Sequence, residues 1–121
     1  MSLNRQKYDA FATLLLQLRD YSTTTELNAS EVRLRVASLQ QMFLVQIVPL
    51  ALEDAQMPHN SREQSYQTEM SKQLRLLELD VMFFQGARQP ATAQARLQTI
   101  SDRLTTLMQY CEAILQQGDE A

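Results

Sequence analysis

The feature that most constrains this chain is an uninterrupted apolar stripe near its C-terminus. Over residues 90–117 the apolar side chains recur in steps of three and four, which puts them on one face of a helix with about 3.6 residues per turn. Such a helix would be about 40 Å long and could not leave its stripe in water. The chain must therefore supply other helices of similar length. The stripe consists of Leu97, Ile100, Leu104, Leu107, Cys111 and Ile114.

Three earlier segments have the same periodicity, so the sequence predicts four amphipathic helices. Asn28 followed by Glu31, and Asn60 followed by Glu63, fit the capping box that opens a helix. Gly86 and Gly118 are expected to end the third and fourth helices. The predicted helices cover residues 4–22, 29–56, 61–86 and 90–117.

Four helices with short connections predict an all-α, antiparallel up-down-up-down four-helix bundle. The first helix is about two turns shorter than the others, which leaves a gap opposite the end of the second helix. Pro49 lies in that region and lacks the N–H that a regular helix needs, so we expect a kink there. The kink would let Leu50 and Leu52 fold across the gap, and a straight second helix would refute this hypothesis.

Composition bounds the molecule to a single domain covering residues 1–121. The formal net charge of −3 offers no electrostatic footprint for nucleic acid. The single cysteine cannot form an internal disulfide, which is compatible with the cytoplasm. The first seven residues lack a signal pattern, and the most apolar run, residues 42–52, is too short to span a bilayer. We therefore expect no membrane span.

The sequence offers little for catalysis or for a metal. The only histidine, His59, lies in a predicted turn, so we expect no metal ion and no haem or other cofactor. Cys111 lies on the apolar stripe, where a structural role is favoured over that of a nucleophile. The carboxylate pairs Glu53–Asp54 and Glu78–Asp80 are interpreted as solvated helix faces rather than acid–base pairs. The chain is not predicted to be an enzyme.

The run from Ser22 to Thr25 permits two interpretations. Hydroxyl and β-branched side chains compete for backbone hydrogen bonds, which suits a connection between helices. The same run could be phosphorylated, but the plain connection is favoured.

Two helices carry more apolar residues than a bundle helix needs. The extra residues either widen the core or form an exposed patch for a partner. The core is favoured on both helices, more strongly on the second, where the short first helix leaves a gap. They are Met42, Leu44, Val45 and Val48 on the second helix, and Leu76, Leu79 and Phe83 on the third.

Several segments together resemble a family of small cyanobacterial proteins, the heterocyst frequency control (PatD) proteins. They are Lys7–Phe11, Leu79–Phe84, Ala87–Thr92, Arg96, Arg103–Leu104 and Tyr110–Cys111. The resemblance covers nearly the whole chain, and the turn Ala87–Thr92 is its most distinctive part. It implies a cytoplasmic regulator that limits heterocyst differentiation and is linked to assembly of the cell-division protein FtsZ. It carries over no catalytic or binding residue.

The expected function is that of a non-enzymatic regulatory adaptor that presents a helical face to a protein partner, possibly FtsZ. An alternative is a structural homodimer in which the third helix meets its own copy. A third, an enzymatic or cofactor-binding bundle, would need a concave polar pocket that the apolar stripes disfavour. Two places are candidates for partner binding: the turn Arg88–Gln89 with Arg96, and the second face of the third helix, formed by Leu76, Leu79 and Phe83.

Overall fold

The computed structural model describes residues 3–24, 27–53 and 60–120, and these contain helices and no strand. α2, a π-helical turn and α3 follow one another without a break, and we call residues 29–53 the second helix. The predicted all-α architecture of four packed helices is confirmed. The elements are α1 (Leu3–Tyr21), α2 (Ala29–Met42), the π-helical turn (Phe43–Ile47), α3 (Val48–Glu53), α4 (Asn60–Gly86) and α5 (Pro90–Glu120).

The four helices enclose one apolar core. α5 packs against α1 and α4, and the second helix packs against the same two neighbours. The stripe of α5 that the sequence predicts is buried almost throughout, and each of the other helices contributes its own stripe. Fully buried large side chains include Phe11, Leu15, Leu18, Leu39, Ile47, Leu77, Ile100, Leu104 and Leu107.

Hydrogen bonds between side chains and between side chains and carbonyls also join the helices. Arg5 Nη1 donates to the Leu115 carbonyl at 3.3 Å, whereas Arg19 Nη1 donates to Thr105 Oγ1 at 3.1 Å. Gln40 Nε2 donates to Glu78 Oε2 at 3.0 Å. Polar contacts therefore reinforce the apolar packing between α1 and α5 and between the second helix and α4.

The ends of the helices follow the sequence signals in part. Asn28 is the N-cap of α2, and its side chain accepts a hydrogen bond from the Glu31 N–H at 3.1 Å. Gly86 ends α4 as predicted, although its φ is not positive, so the helix does not end in a left-handed cap there. The predicted stop at Gly118 is wrong, because α5 continues to Glu120. A glycine inside a helix costs only about 1 kcal/mol relative to alanine.

Near Pro49 the second helix departs from regular α-helical geometry, at residues Phe43–Ile47. In the π-helical turn the backbone N–H of Val48 donates to the Phe43 carbonyl, five residues earlier instead of four. In a regular α-helix the proline ring would crowd the carbonyl of Val45. The wider turn lies immediately before this region, and the helix continues through Pro49 to Glu53. Leu50 is fully buried as expected, whereas the side chain of Leu52 and the predicted helical residues 54–56 lie outside the described part.

A buried group of polar side chains links three helices. Tyr8 Oη donates to Glu63 Oε2 at 2.7 Å and accepts from Gln67 Nε2 at 2.9 Å. The same Gln67 amide donates to the Ile47 carbonyl at 2.8 Å, at the end of the π-helical turn. The sequence pattern predicted a helix cap at Glu63 and no role for Gln67. We call Tyr8, Glu63, Gln67 and the Ile47 carbonyl the polar link.

The first connection uses its hydroxyl groups as the sequence suggested. Ser22 is buried, and its Oγ donates to the Arg19 carbonyl at 2.7 Å. Thr23 and Thr24 donate in the same way to the carbonyls of Asp20 and Tyr21, at 2.8 and 2.9 Å. The three side chains thus satisfy carbonyls at the end of α1. Thr25 lies outside the described residues.

Replacing Leu104 by alanine should lower the free energy of unfolding by about 2–5 kcal/mol, because it opens a cavity in a fully buried site. Leu16→Ala is the matched control: its side chain is exposed, and the change should cost less than about 1 kcal/mol. Urea unfolding followed by circular dichroism measures both. Equal losses would contradict the assignment of Leu104 to the core.

Candidate interaction face

The second face of α4 is exposed. Leu79, Met82 and Phe83 have exposed fractions of 47%, 61% and 54%, while Leu76 is half-buried. The favoured expectation that these residues widen the core is therefore wrong for Leu79 and Phe83. Leu79, Met82 and Phe83 thus lie outside the buried stripe of α4, which packs against α2 and α5.

The structure brings together two of the predicted binding candidates. The Arg96 guanidinium carbon lies over the Phe83 ring, 4.5 Å from its centroid, which is the geometry of a cation–π contact. Phe83 belongs to the end of α4 and Arg96 to the second turn of α5. The contact therefore joins the apolar side chains of α4 to a positive charge on α5. We call Leu79, Met82, Phe83 and Arg96 the α4–α5 face.

The turn between α4 and α5 is held by backbone hydrogen bonds, and its side chains make no described contact with the α4–α5 face. The Ala87 N–H donates to the Phe84 carbonyl at 3.2 Å, and the Gln89 carbonyl accepts from the Ala93 N–H at 3.0 Å. Both bonds use the backbone, so the side chains of Arg88 and Gln89 remain exposed to solvent. They flank the α4–α5 face without a described contact to Phe83 or Arg96.

Sequence reasoning missed Met82, the most exposed member of the face. Met82 follows Leu79 by three residues, so helical spacing alone places the two on neighbouring positions. The spacing from Leu79 could have identified Met82. Its neighbour Val81 lies on the buried stripe, however, so the sequence alone does not show on which side Met82 falls. Exposure there depends on which helices cover α4, and that is a tertiary property.

The second helix also carries an exposed apolar surface. Leu34, Leu44 and Val45 have exposed fractions of 63%, 65% and 52%, whereas Met42 and Val48 are half-buried. The expectation that Leu44 and Val45 belong to the core is wrong. Phe43 and Ile47, the first and last residues of the π-helical turn, both point inward, and the residues between them face outward.

Among the described residues, one helical segment, Ala29–Ala51, is long and apolar enough to cross a membrane by length and composition. The sequence-based expectation was that no segment spans a membrane. A core helix of a water-soluble bundle passes the same test, and this segment buries a regular stripe against α1 and α4. The helix therefore carries apolar side chains on its exposed side as well as on its buried side.

The interpretation of the acidic residues as solvated helix faces is wrong for one of them. Asp80 is buried, not solvated, and its Oδ2 accepts a hydrogen bond from Arg103 Nε in an ion pair between α4 and α5. Arg103 Nη1 also lies 3.4 Å from Gln73 Oε1. Glu78 is exposed as expected, and the side chains of Glu53 and Asp54 lie outside the described part.

Cys111 is a core residue, as predicted. Its side chain has no exposed area, and burial, with smaller contributions from the carboxylates of Asp9 and Glu112, raises the pKa of the thiol to about 12. A neutral, inaccessible thiol is a poor nucleophile. His59 lies outside the described residues, and within the described ranges no three His, Cys, Asp or Glu side chains are grouped as metal ligands.

No family model matches this chain, and no curated protein or solved structure shows significant similarity to it. The chemistry of the exposed faces must therefore carry the interpretation of function.

The ion pair between Asp80 and Arg103 gives a stability prediction. Asp80→Asn keeps the side-chain volume but leaves Arg103 without its counter-charge, and it should lower the free energy of unfolding by about 3 kcal/mol. Asp102→Asn is the matched control on an exposed face, where Asp102 only accepts from Gln98, and should cost less than about 1 kcal/mol. Urea unfolding at neutral pH measures both, and a neutral effect of Asp80→Asn would contradict the role given to the pair.

Stability should fall in alkaline solution. Burial raises the pKa of Cys111 to about 12 and, together with the Glu63 hydrogen bond, raises the pKa of Tyr8 well above its usual range. The folded protein therefore keeps two protons that the unfolded chain releases, the cysteine proton above about pH 9 and the tyrosine proton above about pH 10. The free energy of unfolding consequently decreases as pH rises through that range.

Urea midpoints between about pH 8 and about pH 11 test this expectation. Tyr8→Phe removes one of the two groups and should give a shallower decline than the wild type, whatever its stability at pH 8. The same slope in both proteins would show that Tyr8 does not contribute.

Proposed function

We propose that this protein is a non-enzymatic regulatory adaptor that binds a protein partner through the α4–α5 face. The observation that carries the proposal is the group of three half-exposed apolar side chains on α4, with Arg96 held over Phe83. A monomeric protein rarely exposes large apolar side chains together unless they have a use. Aromatic and arginine side chains are also the types that most often dominate binding energy.

The chemistry of the face suggests the surface that it would fit. Leu79, Met82 and Phe83 call for an apolar groove or helix face on the partner, and covering them could contribute several kcal/mol at roughly 25 cal/mol per Å² of apolar area, before the costs of association. Arg96 stands at the edge of these side chains and would favour an acidic group beside that groove. Arg88 and Gln89, in the adjoining turn, could add hydrogen bonds at the rim.

The proposal also includes the role implied by the resemblance to the PatD family. The protein would then act in the cytoplasm of a filamentous cyanobacterium, would limit heterocyst differentiation and would modulate assembly of FtsZ. A regulator of this kind needs no chemistry of its own. It shifts assembly if its affinity differs between the free and assembled states of its partner.

Two finer points of the architecture belong with this proposal. The cross-helix hydrogen bonds support an antiparallel up-down-up-down order of the four helices. The kink at Pro49 stays a prediction, supported by the π-helical turn that precedes the proline.

Leu79→Glu and Phe83→Glu should each reduce binding to FtsZ at least about tenfold without changing helicity, because each puts a charge into the apolar contact. Purified FtsZ, with light scattering to follow its assembly and a pull-down to follow binding, provides the measurement. Leu16→Glu, on an exposed site of α1, is the matched control and should bind like the wild type.

Binding that survives both substitutions would exclude the α4–α5 face. Absence of FtsZ binding by the wild type would exclude the proposed partner. A change from dimer to monomer caused by Phe83→Glu would favour the alternative in which α4 meets its own copy.

A further inference from the structure

The outward face of the second helix is a separate surface from the α4–α5 face. Seven side chains surround one shallow concavity on it, and none of them is charged. They follow the helix from Leu34 to Gln46, so the surface is about 18 Å long at 1.5 Å per residue. The seven are Leu34, Ala37, Ser38, Gln41, Met42, Val45 and Gln46.

We propose that this face binds a second copy of the same chain, with the two helices antiparallel. The order of side chains supports this occupant, because it is self-complementary about a point between residues 39 and 40. In that arrangement Leu34 lies opposite Val45 of the second copy, and Ser38 lies opposite Gln41 of the second copy. Apolar residues thus meet apolar residues at both ends, and two polar side chains that can hydrogen-bond meet at the centre.

Side-chain size fits the same arrangement. Ala37 lines the groove between α2 and α4, and Leu44 protrudes on that same side of the helix. In an antiparallel pair related by a two-fold axis, equivalent flanks of the two helices meet. The large side chain of Leu44 therefore lies beside the small Ala37 of the second copy, where there is room for it.

Charge favours the antiparallel direction over the parallel one. Arg33 and Arg35 both lie near the start of α2, and no charged residue follows them before Glu53. Glu31 pairs with Arg35 at 3.0 Å, so the remaining positive charge at this level is that of Arg33. A parallel pair would bring the two Arg33 side chains to the same level, where they would repel each other. An antiparallel pair places them at opposite ends of the interface and also opposes the two helix dipoles.

The size of the face sets the strength of the dimer. A stable interface buries roughly 800 Å² on each partner, and a single pair of helices over about 18 Å covers less than that. We therefore expect a weak dimer with a dissociation constant in the micromolar range, so that dimer and monomer coexist at working concentrations.

Sedimentation velocity on the full chain, from about 5 µM to about 500 µM, measures the association. Leu34→Glu and Val45→Lys should each raise the dissociation constant at least about 100-fold, because the two-fold axis puts two uncompensated charges into each dimer. Both sites are more than half exposed, so circular dichroism should show an intact fold. Leu16→Glu, on an exposed site of α1 outside both faces, is the matched control and should leave the dimer unchanged.

Mixing the Leu34→Glu and Val45→Lys variants tests the direction of the helices. In an antiparallel pair, the carboxylate introduced in one variant meets the ammonium group introduced in the other. The unchanged Val45 of the first variant and the unchanged Leu34 of the second meet as in the wild type, so the mixture should dimerise again. In a parallel pair no such match forms, and the mixture should stay monomeric.

Each possible result decides the proposal. Loss of dimer in the single variants and its return in the mixture would support it. A wild-type protein that remains monomeric at about 500 µM would overturn it, as would a dimer that is insensitive to both substitutions. Monomeric protein that instead sediments with vesicles of neutral phospholipid, and loses that binding on Leu34→Glu, would assign the face to a lipid surface.

Discussion

The structure depends on the burial of the α5 stripe between α1 and α4. α5 is the longest helix, with 31 residues, and its inward side chains are buried over most of its length. An isolated helix would expose this stripe to water and would be marginally stable, so α5 depends on the helices that cover it. Its ion pair with α4, between Arg103 and Asp80, fixes the relative position of the two helices at one level of the bundle. Specific polar contacts of this kind add register to an interface that apolar packing alone leaves less defined.

The shortness of α1 shapes the opposite side of the molecule. α1 has 19 residues against 25 in the second helix, so it is shorter than the helix it packs against. In this region Phe43, Ile47 and Leu50 point inward, whereas Leu44 and Val45 of the π-helical turn are exposed to solvent. The π-helical turn thus contributes to the core on one side and to the exposed apolar surface on the other.

Helical periodicity predicted the architecture because it depends only on local spacing. It placed Leu50 and Cys111 in the core, and Asn28 at a helix start, correctly. It failed where the outcome depends on which helix lies next to a residue. Leu79 and Leu44 have the same apolar chemistry as core leucines, and only the positions of the neighbouring helices leave them exposed.

Asp80 is the converse case. An acidic residue on a helix predicts a solvated face, and the burial of Asp80 could be expected only if its partner Arg103, 23 residues later, were known. The pairing of Phe83 with Arg96 could not be read from either motif alone.

The polar link has a consequence for how the chain can be shortened. The first turns of a terminal helix are usually the part of a domain that deletion harms least. Here the hydroxyl of Tyr8 is a donor to Glu63 and an acceptor for Gln67, and Gln67 in turn holds a carbonyl beside Pro49. Removing the first turns of α1 would therefore remove the hydroxyl that positions Gln67. It would weaken the hydrogen bond from Gln67 to the second helix near Pro49. The first turns of α1 therefore stabilise a distant part of the fold.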